Sequence, residues 1–260
     1  MQMRKSRVLQ KLRAGELVSC VKMNLSCART SELAAALGFD CIWIDMEHTA
    51  ADWSEVEKHI MAAKTRDKDV MVRVTRGSYS DYIRPLELDA AGIMVPHIMS
   101  VEDAKQVART TRFHPVGRRP VDGGNADGIY CNIPFLEYIK QANEQRFVVV
   151  QIEDPEPLDD LDVIASVEGI DMLFFGPGDF SHSIGTPADF QNPKVIETRK
   201  RVAEVARAHG KYAGTIGGLG DLDNFFEMGY RFISIGADVL ALGPYFKEIV
   251  SAFEDHKGKV

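Results

Sequence analysis

Short apolar, β-branched runs recur along the chain with room for a helix between them. They are LVSCVKM (17–23), CIWIDM (41–46), VMVRV (70–74), GIMVP (92–96), FVVVQIE (147–153), MLFFG (172–176), YAGTI (212–216) and RFISIG (231–236). The intervening segments, such as RTSELAAALG, WSEVEKHIMAAKTR, SVEDAKQVARTTR, LDDLDVIASVEG and PKVIETRKRVAEVARAHG, carry apolar residues three and four apart, which gives a helix one apolar face. Strands that are apolar on both faces must be covered on both, the condition of a parallel sheet inside a layer of helices, and eight repeats are enough to close it. The pattern predicts an α/β fold, a (β/α)8 TIM barrel occupying residues 1–260 as one domain. An open, doubly wound sheet is the alternative with the same alternation.

Helix starts are signalled by Asp52, Ser80, Ser100 and Asp221, whose side-chain oxygens suit the orphan amides of a first turn. One stretch breaks the rhythm: Gly117 to Asn132 is a long insertion after the fourth strand and its helix. In a barrel the C-terminal ends of the strands form the working rim, so chemistry is sought there.

A chain of 260 residues suits one barrel, and 45% hydrophobic with 27% charged residues marks an ordinary globular protein. The formal net charge of −7 offers no basic field for phosphate backbones or anionic lipid. Nucleic acid and membranes are therefore disfavoured as partners and small molecules favoured. The start MQMRKSRVLQKLRAGE is basic but lacks a signal peptide's apolar core, and no run reaches the ~18 apolar residues of a membrane span, so the cytoplasm is the expected compartment. Cys20, Cys27, Cys41 and Cys131 show no CxxC pairing and read as buried thiols rather than a zinc site or disulfide framework.

The second strand ends Ile44-Asp45-Met46-Glu47-His48, two carboxylates and an imidazole where the chain leaves the sheet. His48 near Asp45 reads either as an imidazole oriented by a carboxylate for proton transfer or as a structural histidine capping the next helix. Arg73 stands between valines; a guanidinium aimed into a barrel top is costly unless it faces an anion, whether a substrate's or that of a structural ion pair. The fifth strand ends Gln151-Ile152-Glu153-Asp154-Pro155 and the sixth Gly176-Pro177-Gly178-Asp179, so Glu153 and Asp179 project from adjacent strands and can share one hard cation. Magnesium or manganese accepts a few carboxylates and keeps positions for water and substrate oxygens. Taken singly, Asp179 reads as a helix cap and Glu153 as a surface acid. Gly176 and Gly178 around Pro177 let backbone amides approach a ligand ahead of a helix start. His97, after the fourth strand, is placed to touch substrate, whereas Asp89, on the turn before it, is either a substrate contact or structural. Thr215-Ile216-Gly217-Gly218 follows the seventh strand, where many barrels bind phosphate, but no basic residue stands beside these glycines. No lysine is expected among the rim clusters to form a Schiff base.

Taken in order, GFDCIWIDMEH, the strand Arg73, LDAAGIMVPH, VVVQIED and FFGPGDFS resemble the HpcH/HpaI family of class II pyruvate-dependent aldolases, over roughly residues 15–250. The resemblance implies a barrel of the phosphoenolpyruvate/pyruvate type and a divalent metal (Mg2+, Mn2+ or Co2+) on Glu153 and Asp179. It also implies His48 as base with Asp45 beside it, enolate stabilisation by Arg73, and supporting roles for Gln151 and Asp89. The implied reaction is reversible cleavage of a 4-hydroxy-2-oxo acid to pyruvate and an aldehyde. The implied assembly is a homo-hexamer, a trimer of dimers, with the C-terminal helix (about 237–253) exchanged between neighbours and loops of adjacent subunits completing the site. Two departures leave substrate choice open: Asp154 stands where the family usually has a small hydroxyl residue, and GRRPVDGGNADGIY replaces a proline- and glycine-rich loop with RG pairs. His97 is shared with macrophomate synthase, a member that decarboxylates oxaloacetate, so decarboxylation is the alternative activity. A non-catalytic metabolite-binding barrel is a third reading, against which the joint presence of base, cation and both carboxylates argues.

Overall fold

The computed structural model describes residues 1–257. Its strands are β1 Val18–Met23, β2 Cys41–Asp45, β3 Asp69–Arg73, β4 Gly92–Val95, β5 Phe147–Ile152, β6 Met172–Phe175, β7 Tyr212–Gly217 and β8 Phe232–Ala237. They follow one another in sequence order around a closed parallel barrel in which β8 returns to pair with β1. That closing pair excludes the open sheet. The helices are α1 Arg7–Arg13, α2 Ala28–Ala36, α3 Trp53–Lys64, α4 Tyr79–Glu87, α5 Val101–Thr111, α6 Phe135–Gln145, α7 Leu161–Ser166, α8 Pro177–Ser183, α9 Pro193–Ala208, α10 Leu222–Met228 and α11 Asp238–Glu254. No described helix is long and apolar enough to cross a membrane.

Alternation along each strand sorts the apolar side chains into two shells. Cys20, Trp43, Met71, Val149, Phe174 and Phe232 fill the barrel interior, joined by Val8, Leu9 and Leu12 of α1. Ile42, Ile44, Val70, Val72, Val148 and Val150 face outward onto the helices. Continued upward with the same period of two, the inward rows become Lys22 above Cys20, Asp45 above Trp43, Arg73 above Met71, and Gln151 then Glu153 above Val149. The interior thus changes from apolar to ionic over its last rungs, at the rim.

The helix starts follow local chemistry. Asp52 accepts from Glu55 N–H in a capping box, and Ser100 accepts from Asp103 N–H. At α4 the cap is Ser78 rather than Ser80, because Asp81 reaches back to the Ser78 N–H (2.8 Å). Asp221 accepts from Gly218 N–H (2.8 Å), closing the single turn before α10 rather than capping α10 itself. Cys20 and Cys41 are buried as expected, but Cys27 and Cys131 lie in loops and are exposed.

The Gly117–Asn132 excursion leaves α5 at the barrel end opposite the rim and winds around a buried ion pair. Arg119 donates to Asp127 at 2.9 Å, and Tyr138 Oη donates to the same carboxylate oxygen at 2.8 Å. α11 is the other anomaly: none of its residues is buried, and Leu240, Phe246, Val250 and Phe253 are all exposed. Where an eighth outer helix would pack on β8 and β1, a groove of about 320 Å3 is lined by Leu17, Phe39, Leu219, Leu222, Ile233 and Ile235.

Candidate active site

Strand pairing puts Asp45 of β2 opposite Arg73 of β3. The guanidinium donates through Nε to Asp45 Oδ1 (2.9 Å) and through Nη2 to Oδ2 (2.6 Å), and Lys22 Nζ from β1 lies 2.7 Å from the same Oδ2. Both cations lie over the Trp43 ring, Arg73 at 4.9 Å and Lys22 at 5.4 Å from its centroid, which adds face-on electrostatic support. Burial acts to raise the Asp45 carboxyl, but the hydrogen bonds and charge of Arg73, and then of Lys22, hold it well below the usual carboxylate range. One buried carboxylate therefore holds two cations, and Arg73 keeps Nη1 toward Glu47 at the rim.

This geometry corrects two expectations. Asp45 does not orient His48: its oxygens are taken by Arg73, Lys22 and the Glu47 N–H (3.1 Å), and its side chain is fully buried. His48 instead turns outward, its side chain 54% exposed, with Nε2 3.5 Å from Glu47 Oε2. A lysine also does reach the rim, because Lys22 lies on the inward row of β1, although its ammonium is held by Asp45. Glu47 is the residue to which reading the sequence gave no role. Its Oε2 is 3.1 Å from Arg73 Nη1, too poorly aligned for a hydrogen bond, and its Oε1 is 3.7 Å from His97 Nε2. The available signal was its place two residues beyond inward-facing Asp45.

Beyond Glu47 and His97 lies Glu153, fully buried, its Oε1 3.7 Å from His97 Nδ1. Its Oε1 accepts the His97 N–H (2.9 Å), and its Oε2 accepts from Gln151 Nε2. Burial pushes Glu153 up to about 7; the His97 N–H and charge oppose the rise, Asp179 adds to it and Arg73 opposes it. His97 has φ 50°, a left-handed conformation that costs a non-glycine residue roughly 1–3 kcal/mol and here aims its amide at Glu153. Its Nδ1 is 2.8 Å from Asp154 Oδ2. Burial acts to lower the His97 pKa, yet the Asp154 hydrogen bond and then the charges of Glu153, Asp154 and Glu47 raise it overall.

Gly176 must be a glycine, since a Cβ there would lie 2.5 Å from Glu153 Oε2 and 2.9 Å from Gln151 Nε2. Pro177 is buried, whereas Gly178 faces open space and Asp179 is exposed in the first turn of α8. Glu153, Asp179, Gln151 and Gly176–Gly178 therefore share one side of the rim. Asp89 does not join them. It lies at the opposite end of the barrel, paired with Arg146 and Lys64, so within this subunit it is structural rather than a substrate contact.

The residues present fit a small, hard cation. Among the described residues no three His, Cys, Asp or Glu side chains converge as a ligand set. Glu153 and Asp179 would supply two oxygen ligands and leave the other positions to water or substrate, the arrangement magnesium tolerates. A carboxylate raised by burial, with an acidic neighbour adding to the rise, gains from added positive charge. Gln151 Oε1 and Glu47 Oε2, both buried without hydrogen-bond partners, lie around the same space.

The family model described as HpcH/HpaI aldolase/citrate lyase matches residues 23–243. A hydroxypyruvate/pyruvate aldolase of Pseudomonas aeruginosa is 30% identical over 250 residues, 96% of this chain and 93% of that protein. A 5-keto-4-deoxy-D-glucarate aldolase of Salmonella paratyphi A is 28% identical over 226 residues, 86% of this chain and 88% of that protein. Among solved structures, an HpcH/HpaI aldolase from Desulfitobacterium hafniense superposes with a TM-score of 0.87 at 27% identity, covering 95% of this chain and 96% of that one. The chain belongs to the HpcH/HpaI aldolase/citrate lyase family.

Proposed function

We propose that this protein is a carbon–carbon lyase, a class II aldolase that reversibly cleaves a 4-hydroxy-2-oxo acid to pyruvate and an aldehyde in the cytoplasm. The observation that carries the reading is Glu153: fully buried at the rim, raised by burial, and under the charges of both Asp179 and Arg73. Glu153 and Asp179 would hold magnesium, manganese or cobalt, which when bound acts as a Lewis acid toward the oxo acid's oxygens. Arg73, locked by Asp45 and Lys22 and backed by Trp43, places a fixed positive charge where negative charge develops as the C3–C4 bond breaks. The proton of the C4 hydroxyl must leave in that step, and His48 is the candidate base, exposed at the mouth with Nε2 3.5 Å from Glu47. Gln151 keeps Glu153 oriented, while Gly176, Pro177 and Gly178 form the wall beside it.

A second reading, decarboxylation of oxaloacetate at the same site, is favoured by His97. Asp154 holds this imidazole beside Glu153 at the mouth, a position from which it can return a proton to the enolate carbon. One experiment tests both: pyruvate release from a panel of 4-hydroxy-2-oxo acids and from oxaloacetate, with chelator and after adding back each metal. Release that needs metal and is fastest from a 4-hydroxy-2-oxo acid is expected; full turnover in chelator removes the reading.

The reading extends to a homo-hexamer built as a trimer of dimers. α11 carries an apolar face that its own chain does not cover, and the groove on β8 and β1 lacks the helix that a barrel places there. Exchange of α11 between copies satisfies both.

A further inference from the structure

Beside the mouth, between the ends of β6 and β7 and helices α9 and α10, lies a second cavity of about 350 Å3, within reach of the ~300 Å3 at which ligand pockets begin. Pro177, Gln191, Arg199, Gly217, Gly218 and Asp221 line it. Arg199 comes from α9 and is held against two aromatic faces, 5.8 Å from the Phe175 centroid and 5.1 Å from that of Phe225. Its Nε is buried without a hydrogen-bond partner, and its guanidinium enters no ion pair among the described residues. Arg199 is half-buried, and its buried Nε lacks an acceptor, while a guanidinium is a planar fork matched to carboxylate and phosphate oxygens. Asp221, the acid on the same wall, accepts the Gly218 N–H at 2.8 Å through one oxygen, and its charge partly offsets the effect of burial on Arg199. Gly217 lets the strand end pack directly on Phe225, since a Cβ there would lie 2.3 Å from its ring. Gly217 and Gly218 are the glycines after the seventh strand that lacked a basic neighbour in the sequence; the fold supplies one from α9.

Pro177 lines this cavity and opens the first turn of α8, which also carries Asp179, so the cavity borders the metal end of the proposed site. We propose that the cavity is a subsite for an oxyanion, carboxylate or phosphate, at the far end of the aldehyde half of the substrate, with Arg199 as its specificity-determining residue. The proposal rests on the aldolase reading for its placement, and its test has one arm that does not.

In the first arm, wild type and Arg199→Gln cleave 4-hydroxy-2-oxo acids that end in methyl, carboxylate or phosphate. The ratio of kcat/KM for the anion-ended over the methyl-ended substrate should fall roughly 10- to 100-fold, the worth of a hydrogen bond to a charged group, and mainly through KM. Arg199→Lys should restore part of it. The anion whose ratio falls identifies the tail; equal losses on all three substrates, or none, overturn the proposal. The second arm reads the intact wild-type protein by the rate of phenylglyoxal modification of Arg199, followed by peptide mass. Inorganic phosphate or glutarate should slow that rate several-fold beyond chloride at the same ionic strength. Equal rates in all three salts overturn the subsite whatever the first arm gives. Protection without aldol turnover on any substrate keeps the subsite and removes the aldolase reading instead.

Discussion

Replacing Arg73 with lysine tests whether its fork, rather than its charge, does the chemistry. Wild-type Arg73 spends Nε and Nη2 on Asp45 at 2.9 and 2.6 Å and keeps Nη1 toward Glu47 and the mouth. A lysine has one nitrogen for both tasks. If it stays on Asp45 the mouth loses its cation; if it turns to the mouth, Asp45 keeps only Lys22 at 2.7 Å. Because Lys22 remains, Asp45 is not left unpaired, so the loss of stability should be that of one charged hydrogen bond, about 1.5–3 kcal/mol, rather than the ~3–5 kcal/mol of an orphaned buried charge. The rate should suffer more in proportion, since removal of one preorganised donor costs about 10²- to 10³-fold in kcat, or ~2.7–4 kcal/mol. Pyruvate release coupled to NADH oxidation gives kcat and KM at saturating metal, and urea unfolding of the same preparation gives the stability change. A variant with kcat within about threefold of wild type but a stability loss above ~3 kcal/mol would refute the argument and make Arg73 a structural ion-pair residue.

Gly176→Ala places a methyl group 2.5 Å from Glu153 Oε2, so metal affinity should fall at least tenfold while the unfolding midpoint shifts little; unchanged affinity by calorimetry would show that the wall yields. His48→Ala should slow aldol cleavage strongly and oxaloacetate decarboxylation much less, because only the first removes a hydroxyl proton; equal losses, measured on one preparation at saturating metal, would make His48 an organiser of the site rather than its base. His59 is buried with Nδ1 2.6 Å from Ser31 Oγ, and burial lowers its pKa, with Glu55 and Asp238 opposing, so the folded protein binds that proton less tightly than the unfolded chain. Stability should therefore fall as pH drops below about 6.5, by up to ~1.4 kcal/mol per pH unit until the folded pKa is reached. His59→Asn should flatten that slope in urea unfolding between about pH 6.5 and 5; an unchanged slope assigns it to other groups.

The barrel itself was legible because its evidence is local. A period of two along each strand and apolar runs covered on both sides already place Asp45, Arg73, Gln151 and Glu153 on inward rows at the C-terminal ends, and Gly176 next to them. Asp89 could have been placed as well, since a residue before a strand lies at the end opposite the rim. Partners were another matter. Asp45 and His48 are neighbours in the chain, yet strand pairing gives Asp45 to Arg73 and barrel packing gives it to Lys22, while the turn after β2 carries His48 outward. Arg199 reaches Gly217 and Gly218 only because α9 packs across β6 and β7. α11 reads as one more amphipathic helix, and only the closed barrel shows that its apolar face and the groove on β8 and β1 are both uncovered. Which way a side chain points is decided over two residues of chain, but which charge it meets is decided by register and closure, and these join positions that the sequence holds far apart.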